Sequence, residues 1–110
     1  MKYMMFICHE PDRLEEAVAQ VEKDGGAWLN EMVGRGVRLE GHALRPPSEA
    51  TTVRVRGGDQ LLTDGPFAES KEAIAGFDII DCADLDEAIE IATRHPCASV
   101  GSIELRPFWQ

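Results

Sequence analysis

Positive charge is in short supply in this chain. Its 110 residues include 11 Lys and Arg against 20 Asp and Glu, a formal net charge of −9, and the basic residues never gather into a patch. Such a chain repels a phosphate backbone, which argues against nucleic acid as a partner. Long apolar runs are also missing, and none approaches the roughly 20 residues that a membrane-spanning helix needs. The opening run Met1 to Phe6 reaches His9-Glu10-Pro11-Asp12 before the apolar core of a signal peptide can build up, so a cytoplasmic protein is expected. The cysteines, Cys8, Cys82 and Cys97, are few, odd in number and scattered, with no C-x-x-C pair. That excludes the spacing of a disulfide framework or a zinc ribbon and leaves reduced, small apolar side chains. His9, His42 and His95 share no ligand spacing, and no metal is expected. There is no glycine-rich phosphate loop and no Ser-His-Asp or Cys-His pattern, so no cofactor is expected either.

What the chain does have is clear punctuation between periodic segments. At 110 residues it is the length of one domain. Lys2 to His9 is apolar on both alternating faces, which predicts a strand buried on both sides. Asp12 and Glu15 have capping-box spacing at the head of a helix. Leu14, Ala17, Val18, Val21, Trp28, Leu29 and Met32 fall on one helical stripe. Gly25 and Gly26 interrupt it, at a cost of about 2 kcal/mol, and predict a kink, a break or a close contact. Gly34 and Gly36 end it. Strands are predicted at Val37 to Leu44, Thr51 to Arg56, Gln60 to Thr63, Phe77 to Cys82 and Ser102 to Phe108, with a hairpin turn at Gly57-Gly58-Asp59. Asp84 and Glu87 cap a second helix, whose buried face is predicted from Leu85, Ala88, Ile89 and Ala92, and Pro96 stops it. This order predicts an α+β fold, a ferredoxin-like antiparallel sheet with both helices on one face.

Two helices leave the other face of such a sheet open. Met4, Phe6 and Cys8 belong to that face, joined by Glu104 and Arg106 from the last strand, Glu40 and His42 from the second, and Arg54 and Arg56 from the third. An exposed apolar centre is poorly tolerated by a monomer, so a homodimer is expected in which two sheets enclose a polar cavity. Glu104 and Arg106 are expected to be paired within it, because unpaired buried charge is costly.

Leu62 to Ile80 contains Asp64-Gly65-Pro66-Phe67, then Glu69-Ser70-Lys71-Glu72. Gly65 and Pro66 build a tight turn that the Asp64 side chain can tie. The charges after the turn are either a solvated loop or a site. The sequence "TDGPFAESKEAIAGFDIIDCADLDEAIEIATRHP", with "TTVRV" at Thr51 to Val55, "IELRPF" at Ile103 to Phe108 and the "KYMMFI" strand, resembles the DGPF-type members of the YCII-related proteins. The resemblance runs over essentially the whole chain. It implies a ferredoxin-like fold of the dimeric α/β-barrel kind. Some relatives act as small lyases or dehydrochlorinases through a His-Asp pair, and DGPF-type genes often lie beside alternative sigma factors. The catalytic histidine of the YCII-type enzymes lies in the first helix region, whereas no histidine occurs between Asp12 and Gly36 here, so that mechanism does not carry over as it stands. Asp64 matches the aspartate of the motif, whereas His42 stands where such relatives usually have another polar residue or glycine, so a role for it would be particular to this chain.

Two functional readings are open. In the first, the protein is a cofactor-independent lyase or isomerase acting on a small anionic substrate. Asp64, with His42, is then the candidate acid–base group, and Arg45, Glu69, Lys71, Glu72, Glu104 and Arg106 are candidate substrate contacts. In the second, it is a non-catalytic small-molecule-binding or regulatory accessory protein linked to a sigma-factor or transcription system. The fold alone does not choose between them.

Overall fold

The computed structural model describes residues 1–65 and 72–109. It contains strands β1 (Lys2–His9), β2 (Arg38–Ala43), β3 (Thr51–Arg56), β4 (Asp59–Asp64), β5 (Ala73–Asp81) and β6 (Ser102–Pro107), with helices α1 (Leu14–Gln20), α2 (Gly26–Gly34) and α3 (Leu85–Thr93). Four strands form an antiparallel sheet in the order β2-β5-β1-β6. With two helical segments crossing between its strands, the arrangement is α+β and consistent with a ferredoxin-like fold. The central place of β1 explains its doubly apolar sequence. Tyr3, Met5 and Ile7 face the helices, and Met4, Phe6 and Cys8 face the other way.

The third predicted strand does not join this sheet. β3 pairs with β4 in a separate two-stranded ribbon, so Arg54 and Arg56 are not on the open face of the main sheet. Pro46 and Pro47, which lack the N–H groups a ladder needs, lie in the segment between β2 and β3, and Pro47 opens a 3-10 turn there. Gly57 and Gly58 take φ of 58° and 85° at the tip of the ribbon, the left-handed values a two-residue hairpin turn demands.

The core lies between the sheet and the helices. Tyr3, Met5 and Ile80 from the sheet meet Trp28 and Met32 from α2 and Ala88, Ile91 and Ala92 from α3. The Trp28 indole donates to the Ile91 carbonyl at 3.1 Å, which ties the two helices across the core. The buried row of α3 is Ala88, Ile91 and Ala92, at i, i+3 and i+4; Ala88 and Ala92 are buried as predicted, whereas Leu85 and Ile89 are half exposed and Ile91 is buried in their stead. The Asp84 cap is present: its carboxylate accepts from Glu87 N at 2.9 Å, and Glu87 Oε1 accepts from Ala83 N. The Asp12 cap is not. Pro11–Arg13 forms a 3-10 turn, and no side chain caps it or α1.

Gly25 and Gly26 do not break the first helix. Val21–Gly25 is a π turn joining α1 to α2 with helical dihedral angles at both glycines. A Cβ on Gly25 would stand 3.0 Å from Val21 Cγ1, so the close contact allowed for in the sequence is realised. The wider turn rotates the residues of α2 relative to those of α1. Ala17, Trp28 and Met32 are buried, whereas Leu14, Val18 and Val21, predicted on the same buried stripe, are 44–46% exposed.

On the helix side, Gly41 of β2 lies opposite Asp78 of β5. A Cβ at Gly41 would overlap Asp78 Oδ1 and the Arg38 guanidinium, so only glycine leaves room for the Arg38–Asp78 ion pair, whose Nε–Oδ1 distance is 3.0 Å. Gly41→Ala is therefore expected to lower stability by about 3 kcal/mol, the scale of a disrupted buried pair, in denaturant melts. A loss under about 0.5 kcal/mol, typical of an indifferent surface position, would contradict this packing.

Candidate functional site

A cavity of about 560 Å³ opens between the first helix and the β2–β5 side of the sheet. Small residues create it. Gly41, Ala43 and Gly76 on the strands, and Gly25 and Gly26 on the helix, line the space, and a Cβ on Gly26 would meet nothing within 4 Å. Leu14, Val18 and Val21 overhang it, which accounts for their exposure. The wall is mostly apolar with a few convergent polar groups, as in small-molecule sites generally: His9, Glu22, Arg38, Asp78 and His95.

Asp78 is the unusual member. It is 7% exposed and sits in the interior of a strand whose other polar side chain, Asp81, is exposed at its end. Burial pushes its carboxyl above the ordinary range, against the opposing pull of the Arg38 hydrogen bond, the Arg38 charge and His42. Arg38 uses Nε for Asp78, and the fork of its guanidinium leaves terminal amino groups for a ligand's carboxylate or phenolate. His95 packs edge-on against Trp28, with centroids 4.7 Å apart, and burial lowers its pKa from 6.5 to about 4. Cys97, also on the wall, is held as a thiol by burial. Among the described residues, no group of three His, Cys, Asp or Glu side chains converges as metal ligands would.

The residues nominated from the sequence lie elsewhere, His42 excepted. His42 touches the cavity from β2, but its ring lies on the sheet face opposite the helices, 5.8 Å from that of Phe77, with Nε2 3.5 Å from Glu40. Asp64 ends β4 and is exposed; the adjoining Gly65 has φ 99° and donates to Ala50 O at 2.7 Å while its carbonyl accepts from Thr52. Arg45 is exposed and pairs with Glu49 at 2.8 Å. Glu69 and Lys71 lie outside the described residues, as does Phe67. Glu72 accepts from Ser102 Oγ at 2.7 Å, and Glu104 pairs with Arg106, whose guanidinium lies 5.4 Å from the Phe6 ring centre. Glu72, Glu104, Arg106 and His42 thus border the sheet face opposite the helices, around Met4, Phe6 and Phe77. His9, Arg38, Asp78 and His95 carried no motif that marked them in the sequence. One signal was readable: in Phe77-Asp78-Ile79-Ile80, strict alternation puts Asp78 on the same face as Ile80, which is a core position.

The profile of the YCII-related domain matches residues 1–110. The chain belongs to the YCII-related family. An uncharacterised protein of Rhizobium meliloti (strain 1021) is 48% identical over 66 residues, 58% of this chain, and the match spans about half of that protein, 53% of its length. Among solved structures, the 5-chloro-2-hydroxyhydroquinone dehydrochlorinase of Burkholderia phenoliruptrix AC1100, in complex with 2,5-dihydroxybenzoquinone, superposes with a TM-score of 0.55 at 12% identity, covering 99% of this chain and 94% of the enzyme. At that identity the likeness speaks for the fold alone.

The depressed His95 pKa has a defined sign. The folded state holds the ring neutral where the unfolded chain protonates it. Its contribution to stability is complete above pH 6.5 and is lost as pH falls to about 4. Asp78 works in the opposite sense, since a raised carboxyl loses stability as pH rises from its ordinary 3.8. His95→Phe keeps a ring against Trp28 and removes the titration. Wild type is expected to lose stability more steeply than the variant between pH 6.5 and 4 in urea melts. Parallel curves would contradict the assignment.

Proposed function

We propose that this YCII-related protein binds and transforms a small anionic molecule in the cavity between helix and sheet, by acid–base chemistry of the lyase or isomerase type. The single observation that carries the reading is Asp78: a carboxyl buried on a cavity wall, with its pKa raised by desolvation and an arginine fixed beside it. A raised carboxyl both takes and returns a proton closer to neutrality than a surface aspartate does. Arg38 orients the substrate's anionic group, and Trp28, Leu29 and Ile7 exclude water around it. The dehydrochlorinase of the same fold handles a small hydroxylated ring, and that supports small-molecule chemistry on this scaffold without specifying it.

The open sheet face favours a second element of the reading, a homodimer. Met4, Phe6, Phe77 and Ile79 form an apolar centre, flanked by the pairs Glu104–Arg106 and Glu40–His42. A second copy laid on this face buries the centre and encloses the flanking charges. Asp64, exposed in the single chain, enters a site only through such an assembly.

Ligand-observed NMR with a panel of small carboxylates, phenolates and hydroxyquinones tests both places. Hits are expected to bind wild type, to weaken about tenfold or more with Arg38→Met and to survive Asp64→Asn. Loss with Asp64→Asn and retention with Arg38→Met would instead put the chemistry on the open face. Binding with no turnover of any hit would favour the accessory, non-catalytic role. Sedimentation equilibrium is expected to give a dimer, and a well-folded monomer of 12.1 kDa would remove that part of the proposal.

A further inference from the structure

Two imidazoles line the cavity that the Arg38–Asp78 reading leaves unused. His9 ends β1 and is 6% exposed. Its Nδ1 stands 2.8 Å from the Glu10 carbonyl oxygen. A carbonyl only accepts, so Nδ1 carries the proton, and Nε2 of the neutral ring presents a lone pair. His95 is the reverse. Its Nδ1 lies 3.0 Å from the amide of Cys97, a group that only donates, so the ring's proton sits on Nε2. The backbone therefore holds the two rings in opposite tautomers. Among the described residues, no buried side-chain nitrogen or oxygen lacks a partner, and no protein group bonds either Nε2. Both Nε2 atoms are therefore open to a small molecule, one as acceptor and one as donor.

We propose that the cavity is built for a small α-hydroxy-carbonyl anion, with His95 Nε2–H donating to the carbonyl oxygen and His9 Nε2 accepting from the hydroxyl. This rests on the reading of the cavity as an anion site and names its substrate class. The proton balance closes within the site. Asp78 takes the proton from the hydroxyl-bearing carbon; the C–H pair becomes the double bond of an enediolate, and the charge gathers on the carbonyl oxygen against His95. His9 takes the hydroxyl proton, and the resulting imidazolium keeps its Nδ1–H bond to Glu10, so the ring stays in place. Asp78 then returns its proton to the neighbouring carbon and His9 returns its own to the former carbonyl oxygen, which isomerises the substrate with no oxidant or reductant. His95 stays neutral throughout, because a proton on Nδ1 would confront the Cys97 N–H. A neutral imidazole is the weaker acid of its two forms, suited to polarise a carbonyl without surrendering its proton.

The test uses the full ¹⁵N-labelled chain, and its tautomer and shift readouts need no substitution. Long-range ¹H–¹⁵N spectra at neutral pH are expected to show His9 protonated on Nδ1 and His95 on Nε2. Hydroxypyruvate, which carries an anion, a carbonyl and a hydroxyl, is expected to shift both Nε2 resonances. Pyruvate, lacking the hydroxyl, should leave His9 unmoved, and glycerate, lacking the ketone, should leave His95 unmoved. Both analogues should bind about tenfold more weakly or worse, since each leaves a site group unpaired. A reversed tautomer at either ring, equal shifts from all three compounds, or no shift from hydroxypyruvate would overturn the proposal. If hydroxypyruvate binds in an Arg38-dependent way without moving either Nε2, the anion site stands and only this inference falls. Binding indifferent to Arg38→Met sinks the anion site itself.

Discussion

A carboxylate withdrawn from water needs a partner, and the pairing of Asp78 with Arg38 is the constraint on which the rest of this structure turns. An isolated buried charge costs several kcal/mol, so the strand that carries Asp78 toward the helices also needs Arg38 at the start of the neighbouring strand. The two meet only because Gly41 has no side chain. The pair in turn holds the polar end of a space that an ordinary core would have filled. An apolar residue at position 78 would remove both the charge and the reason for the gap beside it.

The cavity arises from the same sparing use of side chains. Glycines on β2, β5 and the first helix line it, and the π turn at Val21–Gly25 rotates Trp28 and Met32 onto the core while Leu14, Val18 and Val21 overhang the space. Because the wall is apolar, each polar group on it acts in a low dielectric and is strengthened by it. That is why burial dominates the shifts of Asp78 and His95, rather than long-range charge.

Much of the fold was legible because local chemistry and tertiary role agree. The doubly apolar β1 is central in the sheet, Asp84 caps α3, and Gly57-Gly58 turns the ribbon. The misreadings arise where tertiary context overrides a local pattern. β3 has strand chemistry, yet the two prolines that precede it take it into a ribbon of its own. Leu85 and Ile89 have the spacing of a buried row, yet Ile91 is buried in their stead. The candidate site was least legible. Asp64 and its charged neighbours form a conspicuous cluster along the sequence, whereas His9, Arg38, Asp78 and His95 lie far apart along it and come together only through strand register and the Trp28 contact. A cavity defined by missing side chains leaves no motif, only scattered glycines.

The central claim is that Asp78 is a proton-exchanging group in contact with ligand, beyond its part in an ion pair. Its side-chain ¹³C shift, followed through a pH titration with and without a bound anion, reads this directly. The predicted result is a midpoint above the ordinary aspartate value in the free protein, displaced again when an anion competes for Arg38. A midpoint at or below the ordinary value, unmoved by any anion, would mean that Asp78 serves the fold alone.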